Sequence, residues 1–250
     1  MFLFQSPPPT RFDVNFTVAG TPVRVHPLFW LLAAFLGSAS GDILQILVWV
    51  IVVFVSILVH EIGHALAFRR YGLDSHIVLH FAGGLTIPDS TPFGMSWANV
   101  QPTPRQQIVI SLAGPFAGFF LAILVIASVI FLGGSVSFSF LFGIIPIPQL
   151  AAFPIQNNLI RLYIIMMLWV NVFWGLINLL PVYPLDGGQV ARNVLIQYDP
   201  IDGARKSLWL STISGAVIAL AAFLILNSIY MAFLFALLAF QSYQALGARY

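Results

Sequence analysis

Two stretches of this 250-residue chain hold no charged side chain at all, residues 106–160 and 207–248. Each is at least twice the ~20 apolar residues that cross a bilayer as a helix, so each must turn back on itself. Composition settles what surrounds them. Hydrophobic residues make up 60% of the chain and charged residues 7%, against roughly 25% charged in an ordinary soluble domain. So few charges cannot cover a water-facing surface, and lipid is the environment that takes this much apolar area. A formal net charge of +2 argues against a nucleic-acid partner, and the absence of cysteine removes disulfides and thiolate metal ligands. The expectation is a polytopic α-helical membrane protein.

Counting the apolar stretches gives about six transmembrane helices in a single domain over 1–250, at approximately 27–41, 43–69, 106–132, 160–181, 207–226 and 229–247. Residues 133–158 are apolar, with Phe138, Phe140, Phe142, Ile144 and Ile145, but are broken by Pro146, Pro148 and Pro154. Irregular backbone is not tolerated against lipid, so this loop is expected to be re-entrant or surface-lying, packed on other helices. The start, Met1 to Arg11, contains three consecutive prolines and no basic-then-apolar leader. The first hydrophobic segment is therefore expected to serve as its own insertion signal. Two short stretches alternate in the strand period. Val14–Val25 reads as a hairpin, and His76–Phe81 with Leu85–Ile87 reads as a strand pair around Gly83-Gly84. Small membrane-associated β-hairpins are expected from both.

Basic residues orient the spans. With an inside N-terminus, Arg11, Arg24, Arg69, Arg70, Arg105, Arg192, Arg205, Lys206 and Arg249 fall on one side and only Arg161 on the other. The positive-inside bias places both termini in the cytoplasm.

Within the second span stands Val59-His60-Glu61-Ile62-Gly63-His64. This is HExxH on a helix, where residues four apart share a face, so both imidazoles can reach one Zn²⁺ and the glutamate between them can act on water. Glu61 is the only glutamate in the chain. A merely structural role for three ionisable groups in a membrane helix is disfavoured by the cost of burying them. Catalytic zinc usually takes three protein ligands. Of the remaining acidic residues, Asp13, Asp42, Asp74, Asp89, Asp199 and Asp202 fall in loops or termini, whereas Asp186 closes the fourth span in Asn178-Leu179-Leu180-Pro181-Val182-Tyr183-Pro184-Leu185-Asp186-Gly187-Gly188. The second and fourth spans both run outside to inside, so Asp186 and the histidines converge on the cytoplasmic half of the bilayer.

HExxH in one transmembrane helix with N-x-x-P-x-x-P-L-D-G in a later one resembles the site-2 protease family (M50) of intramembrane zinc metalloproteases. The likeness runs from about His26 to Arg192, and the chain looks like a minimal form, with room for neither of the PDZ and CBS modules that many relatives carry. The resemblance implies one zinc ion per chain, held by His60, His64 and Asp186, with Glu61 as general base. It implies that Asn178 steadies the oxyanion or the substrate. It further implies that Gly83 and Gly84 lie in a hairpin beside the active site, and Ser111-Leu112-Ala113-Gly114-Pro115 also looks like a family feature; by strand addition, an extended substrate is expected to pair with the strand edge near Gly83 and Gly84. The substrate would be a transmembrane segment of another protein, and a bacterial plasma membrane is the expected location.

Other polar residues carry weaker expectations. His76 and His80 are expected at a surface or interface, and His26 at a helix entry. Gly187-Gly188, Pro181 and Pro184 either end the fourth span or open it to water. A metal transporter would need ligands along a path, and the third, fifth and sixth spans offer none. A proteolytically silent binding protein of the same fold has no support, because every catalytic position holds the expected residue type.

Overall fold

The computed structural model describes residues 6–89, 102–141, 143 and 145–247. Among the sequence expectations, Phe142, Ile144 and Arg249 lie outside the described residues. The fold is mostly helical with two small sheets, and backbone contacts divide it into two compact units. Of the described residues, those within 6–89 and 113–176 make one unit and those within 102–112 and 177–247 the other.

The first unit begins with β1 (Val14–Val18) and β2 (Thr21–Val25), the hairpin expected from alternation. Its turn needs positive φ at Ala19 and Gly20. The chain then enters α1 (Pro27–Gly37), α2 (Ile43–Arg70), β3 (Ser75–His80) and β4 (Gly83–Pro88). The four strands make one sheet in the order β1-β2-β3-β4, with β2 and β3 parallel. Val23, Val25, Ile77 and Leu79 from the sheet form one buried cluster with Phe29, Ile57 and Ala65. The sheet therefore packs beside the second half of α2.

That packing explains why α1 has only 11 residues where 27–41 was expected. The His26 N–H donates to Leu79 O in β3 at 2.8 Å, and the His26 ring accepts from Leu28 N as the helix cap. The helix starts at the sheet, already part-way along α2, and Gly37 meets the Trp49 side chain at its far end. At ~1.5 Å per residue α1 is about 16 Å long, roughly half a bilayer core. His26 is the helix-entry residue the sequence suggested.

The same unit holds most of α3 (Pro104–Phe131), then β5 (Ser135–Leu141), β6 (Ile145–Ala152) and most of α4 (Asn158–Asn178). The unit boundary falls inside α3 and α4. Residues 133–158, expected as a broken loop, thus contain an antiparallel hairpin. Pro146 and Pro148 are two residues apart and so aim their missing N–H groups to the same side. In a two-stranded hairpin that side is an open edge, where proline costs no ladder hydrogen bond. Val136 and Leu150 pack at the hairpin's base against Val129, Ile164 and Leu168, while Phe138 and Phe140 remain exposed.

In the second unit, α4 ends at Asn178 and a new helix, α5 (Asp186–Tyr198), begins at Asp186. Asp186 therefore opens a helix and does not close the fourth span, a correction to the sequence reading. The packing of Gly187 and Gly188 shows why. A Cβ at Gly187 would run into the carbonyls of Leu179 and Leu180, and one at Gly188 into the backbone of Val182 and Tyr183. These glycines allow the first turn of α5 to press on the connecting backbone. After it come α6 (Gly203–Leu224) and α7 (Ile229–Gly247), joined by a tight turn in which Asn227 takes a positive φ of 49°. Ser211 of α6 accepts a hydrogen bond from Tyr183 N, anchoring the connection between α4 and α5.

Among the described residues five helices, α2, α3, α4, α6 and α7, are long and apolar enough to cross a membrane. Large apolar side chains such as Phe35, Phe131 and Phe233 face outward, as lipid contact requires. This is an integral membrane protein.

Candidate metal centre

Helical spacing does for His60 and His64 what the motif requires. One turn apart on α2, their Nε2 atoms approach to 3.2 Å, with the rings edge-on. Two nitrogens ~2.0–2.1 Å from a tetrahedral zinc stand about 3.4 Å apart, so the pair already has ligand spacing. Both residues are buried.

A glycine makes room for them. A Cβ at Gly114 of α3 would stand 2.7 Å from His60 Nε2 and closer still to His64 Nε2. The absent side chain leaves a cradle against the two nitrogens, in a helix pair drawn tight by Gly63, whose Cβ would lie 2.8 Å from the Ala117 side chain. Asp186 supplies an oxygen donor. His60 and His64 lie in the first unit, and Asp186 is the first residue of α5 in the second. Two imidazoles and one carboxylate are a zinc-type donor set, and the carboxylate gains from the positive end of α5, whose first turn it occupies. The residues present fit the ion.

Glu61 is buried and turned toward the sheet. Its Oε2 accepts from Thr86 Oγ1 at 2.6 Å, and its backbone carbonyl lies 3.1 Å from the same hydroxyl. A hydroxyl has one proton, so the shorter, charge-assisted contact takes it. Gly84 leaves the space: its Cβ would fall within 2.6 Å of the Glu61 carboxyl carbon. Thus β4, which ends the strand order among the described residues, touches the acid of the motif through Gly84 and Thr86. Gly83, at φ +119°, makes the turn into that strand, and a Cβ there would meet nothing within 4 Å among the described residues. Thr86 went unnoticed in the sequence, although a hydroxyl in an otherwise apolar strand was the available signal. Asn178, the last residue of α4, is buried.

The remaining histidines divide. His76 pairs with Asp89 at an exposed position. His80 is not at a surface: it is 2% exposed, and its pKa is lowered first by burial and then by the positive fields of His26 and Arg24. Its ring accepts from Ala82 N in the turn before β4.

Residues 48–222 match the profile of peptidase family M50. The chain belongs to that family. Across 184 residues it is 28% identical to the zinc metalloprotease MJ0392 of Methanocaldococcus jannaschii, covering 72% of this chain and 44% of that protein. Over 197 residues it is 27% identical to the putative zinc metalloprotease Rip3 of Mycobacterium tuberculosis, covering 71% and 42%. The chain thus spans less than half the length of the curated relatives it matches. The site-2 protease structure from Methanocaldococcus jannaschii superposes over 94% of this chain and 95% of that one, with a TM-score of 0.54 at 24% identity, which shows a shared fold. The family assigned from His60-Glu61-x-x-His64 and the Asn178–Asp186 motif is the family found.

Proposed function

We propose that this protein is a zinc metalloendopeptidase that hydrolyses peptide bonds in or near transmembrane segments of other membrane proteins. The observation that carries the reading is the paired Nε2 atoms of His60 and His64 against the Gly114 cradle, with Glu61 beside them held by Thr86. His60, His64 and Asp186 are the ligands in this reading. Loaded with zinc, the site gains a Lewis acid that polarises a scissile carbonyl and makes water easier to deprotonate. Glu61 takes the proton of the attacking water and returns it to the leaving amine. Thr86, by donating to Oε2, fixes which carboxylate oxygen is left to do so. In this reading Asn178, the last residue of α4, donates an amide N–H to the developing oxyanion or to the substrate.

Substrate geometry follows from the sheet. A peptide bond inside a helix is shielded, so the segment must be extended before attack. An edge strand offers unpaired backbone groups to such a segment, and β4, which ends the strand order among the described residues, touches Glu61 through Gly84. Orientation follows from charge. Arg69 and Arg70 end α2, Arg105 stands at the start of α3, and Arg205 and Lys206 lie in the first turn of α6. Arg69 also donates to Ala19 O and Thr21 Oγ1 in the first hairpin, which ties the N-terminal strands to that end of α2. By the positive-inside bias this end is cytoplasmic, in the plasma membrane of a prokaryote like those that supply the relatives.

The test compares zinc content and cleavage of a model transmembrane substrate for the wild type, Glu61→Gln and Asp186→Ala in detergent. The expected result is zinc in the first two, cleavage only in the wild type, and reduced zinc in the third. Cleavage by Glu61→Gln would remove Glu61 as the base, and full zinc in Asp186→Ala would remove Asp186 from the ligand set.

A further inference from the structure

One helical turn beyond the histidines, α2, α3 and α4 enclose a second polar niche that the hydrolytic site does not use. Its centre is Asn171 of α4, which is 2% exposed. The amide nitrogen donates to Met167 O at 2.8 Å and to Ser56 Oγ at 2.9 Å. The Met167 carbonyl requires a donor, so the amide cannot be turned over, and both of its hydrogens are engaged. Asn171 Oδ1 is then fixed on the other side, buried and with no hydrogen-bond partner among the described residues.

That oxygen faces Gly118. Among the described residues outside its own stretch of α3, a methyl-sized group on Gly118 would meet Asn171 O, at 3.5 Å, and Asn171 Oδ1, at 3.6 Å. The glycine therefore leaves room for a small group between α3 and α4, bordered by two acceptors of one residue. The depth is that of the bilayer interior: Ser56 stands 13 residues from the start and 14 from the end of α2. A buried acceptor here cannot reach bulk solvent, and the small donor that fits two converging oxygens is water. The niche is also directed. Gly118 follows Gly114 by one turn of α3, and Ser56 precedes His60 by one turn of α2, so each helix leads from the niche to the metal cradle.

We infer that the Gly118–Asn171 niche binds one water molecule and holds it in reserve for the hydrolytic site. The inference rests on the hydrolase reading above. Each turnover breaks one C–N bond and consumes one water, whose oxygen goes to the acyl carbon and whose hydrogens go to the amine and the acid. In a site enclosed by lipid-facing helices, a held water one turn away shortens the resupply path.

The experiment uses the full chain, wild type and Gly118→Ala, in lipid. The added methyl sits at ordinary contact distance, so folding and zinc content are expected to be unchanged and serve as controls. A structure at a resolution that shows ordered water is expected to place a peak within hydrogen-bond reach of Asn171 O and Oδ1 in the wild type and none in Gly118→Ala. Cleavage is expected to show kcat lowered about tenfold with KM unchanged, the pattern of a loss after substrate binding. No peak in the wild type overturns the site. A peak with full kcat in Gly118→Ala overturns the reserve role. If the wild type cleaves nothing, the hydrolase reading fails and the reserve role with it, while the peak still decides whether the niche binds water.

Discussion

Each of the two compact units contains a helix pair brought close by glycine, and the two pairs use that closeness differently. In one, α2 meets α3 through Gly63, whose Cβ would strike the Ala113 carbonyl and the Ala117 side chain. In the other, α6 meets α7 through Gly215, whose Cβ would come to 3.0 Å from the Ala239 side chain. In lipid, small residues let backbones approach because helix association there relies on van der Waals packing. For α6 and α7 that is the whole account, since Leu220, Phe223 and Phe233 beside the contact face outward. Between α2 and α3 the glycines do more. Gly114 is the space into which two imidazole nitrogens project, and Gly118 is the space faced by Asn171 Oδ1. The same residue type packs one pair and makes chemical room in the other.

The largest effect that separates the two uses is expected from Gly114→Ala. Its methyl would occupy the position next to both Nε2 atoms, so the histidines must turn away. We expect at least about tenfold loss of zinc affinity, the scale of disturbing a metal site through its supporting residues, and no cleavage. Zinc measured after a chelator wash decides this. Full occupancy with normal cleavage would reduce Gly114 to a packing residue like Gly215 and erase the distinction.

Gly63→Ala comes next. The clash is with backbone, which cannot rotate away, so α2 and α3 must separate at a cost of roughly 1–3 kcal/mol. Unfolding in increasing denaturing detergent is the measure, and zinc should fall with stability because His64 is the neighbouring residue. By contrast, Gly215→Ala needs a shift of only a few tenths of an ångström, offset by alanine's helix preference of up to ~1 kcal/mol. Its stability is expected within about 1 kcal/mol of the wild type, with zinc and cleavage unaltered. Should Gly215→Ala abolish cleavage, the α6–α7 pair is no passive packing.

What could be read in the sequence follows the same line between local and tertiary causes. His60 and His64 were legible because their joint geometry is a property of one helix. The first hairpin and the His76–Phe81 strand were legible from period-two alternation. The family followed because the two motifs together are specific. Asp186 was legible as an acid near the end of a span, but not as the first residue of α5. The helix start depends on Gly187 and Gly188 pressing on backbone seven or so residues away in the chain. The β5–β6 hairpin was hidden by Pro146 and Pro148, although Ser135, Ser137 and Ser139 alternating with Val136, Phe138 and Phe140 carried the strand period. Thr86 and Asn171 could not be given roles without knowing which atoms they face. His80 was misplaced because the tertiary packing that leaves it 2% exposed has no mark in local sequence.

The smallest effect lies outside both helix pairs and serves as their control. At the foot of the first hairpin, Asp13 accepts from Thr10 and from Arg24, whose guanidinium lies 3.0 Å away. These contacts lower its pKa from 3.8 to about 2, the Thr10 hydroxyl contributing most. A carboxylate with a depressed folded-state pKa adds stability that is fully present above its unfolded value and is lost as pH falls through the folded one. The hairpin should therefore loosen between its ordinary 3.8 and about 2, read as faster backbone hydrogen exchange over β1 and β2. Asp13→Asn should flatten the response in that window. Neither change touches Gly114 or Gly215, so both helix pairs are expected to keep their exchange rates over the same range. A parallel loosening of α2 and α3 would mean that the sheet, anchored on α2 through Arg69 and Thr21, holds the metal cradle shut as firmly as the glycine contacts do.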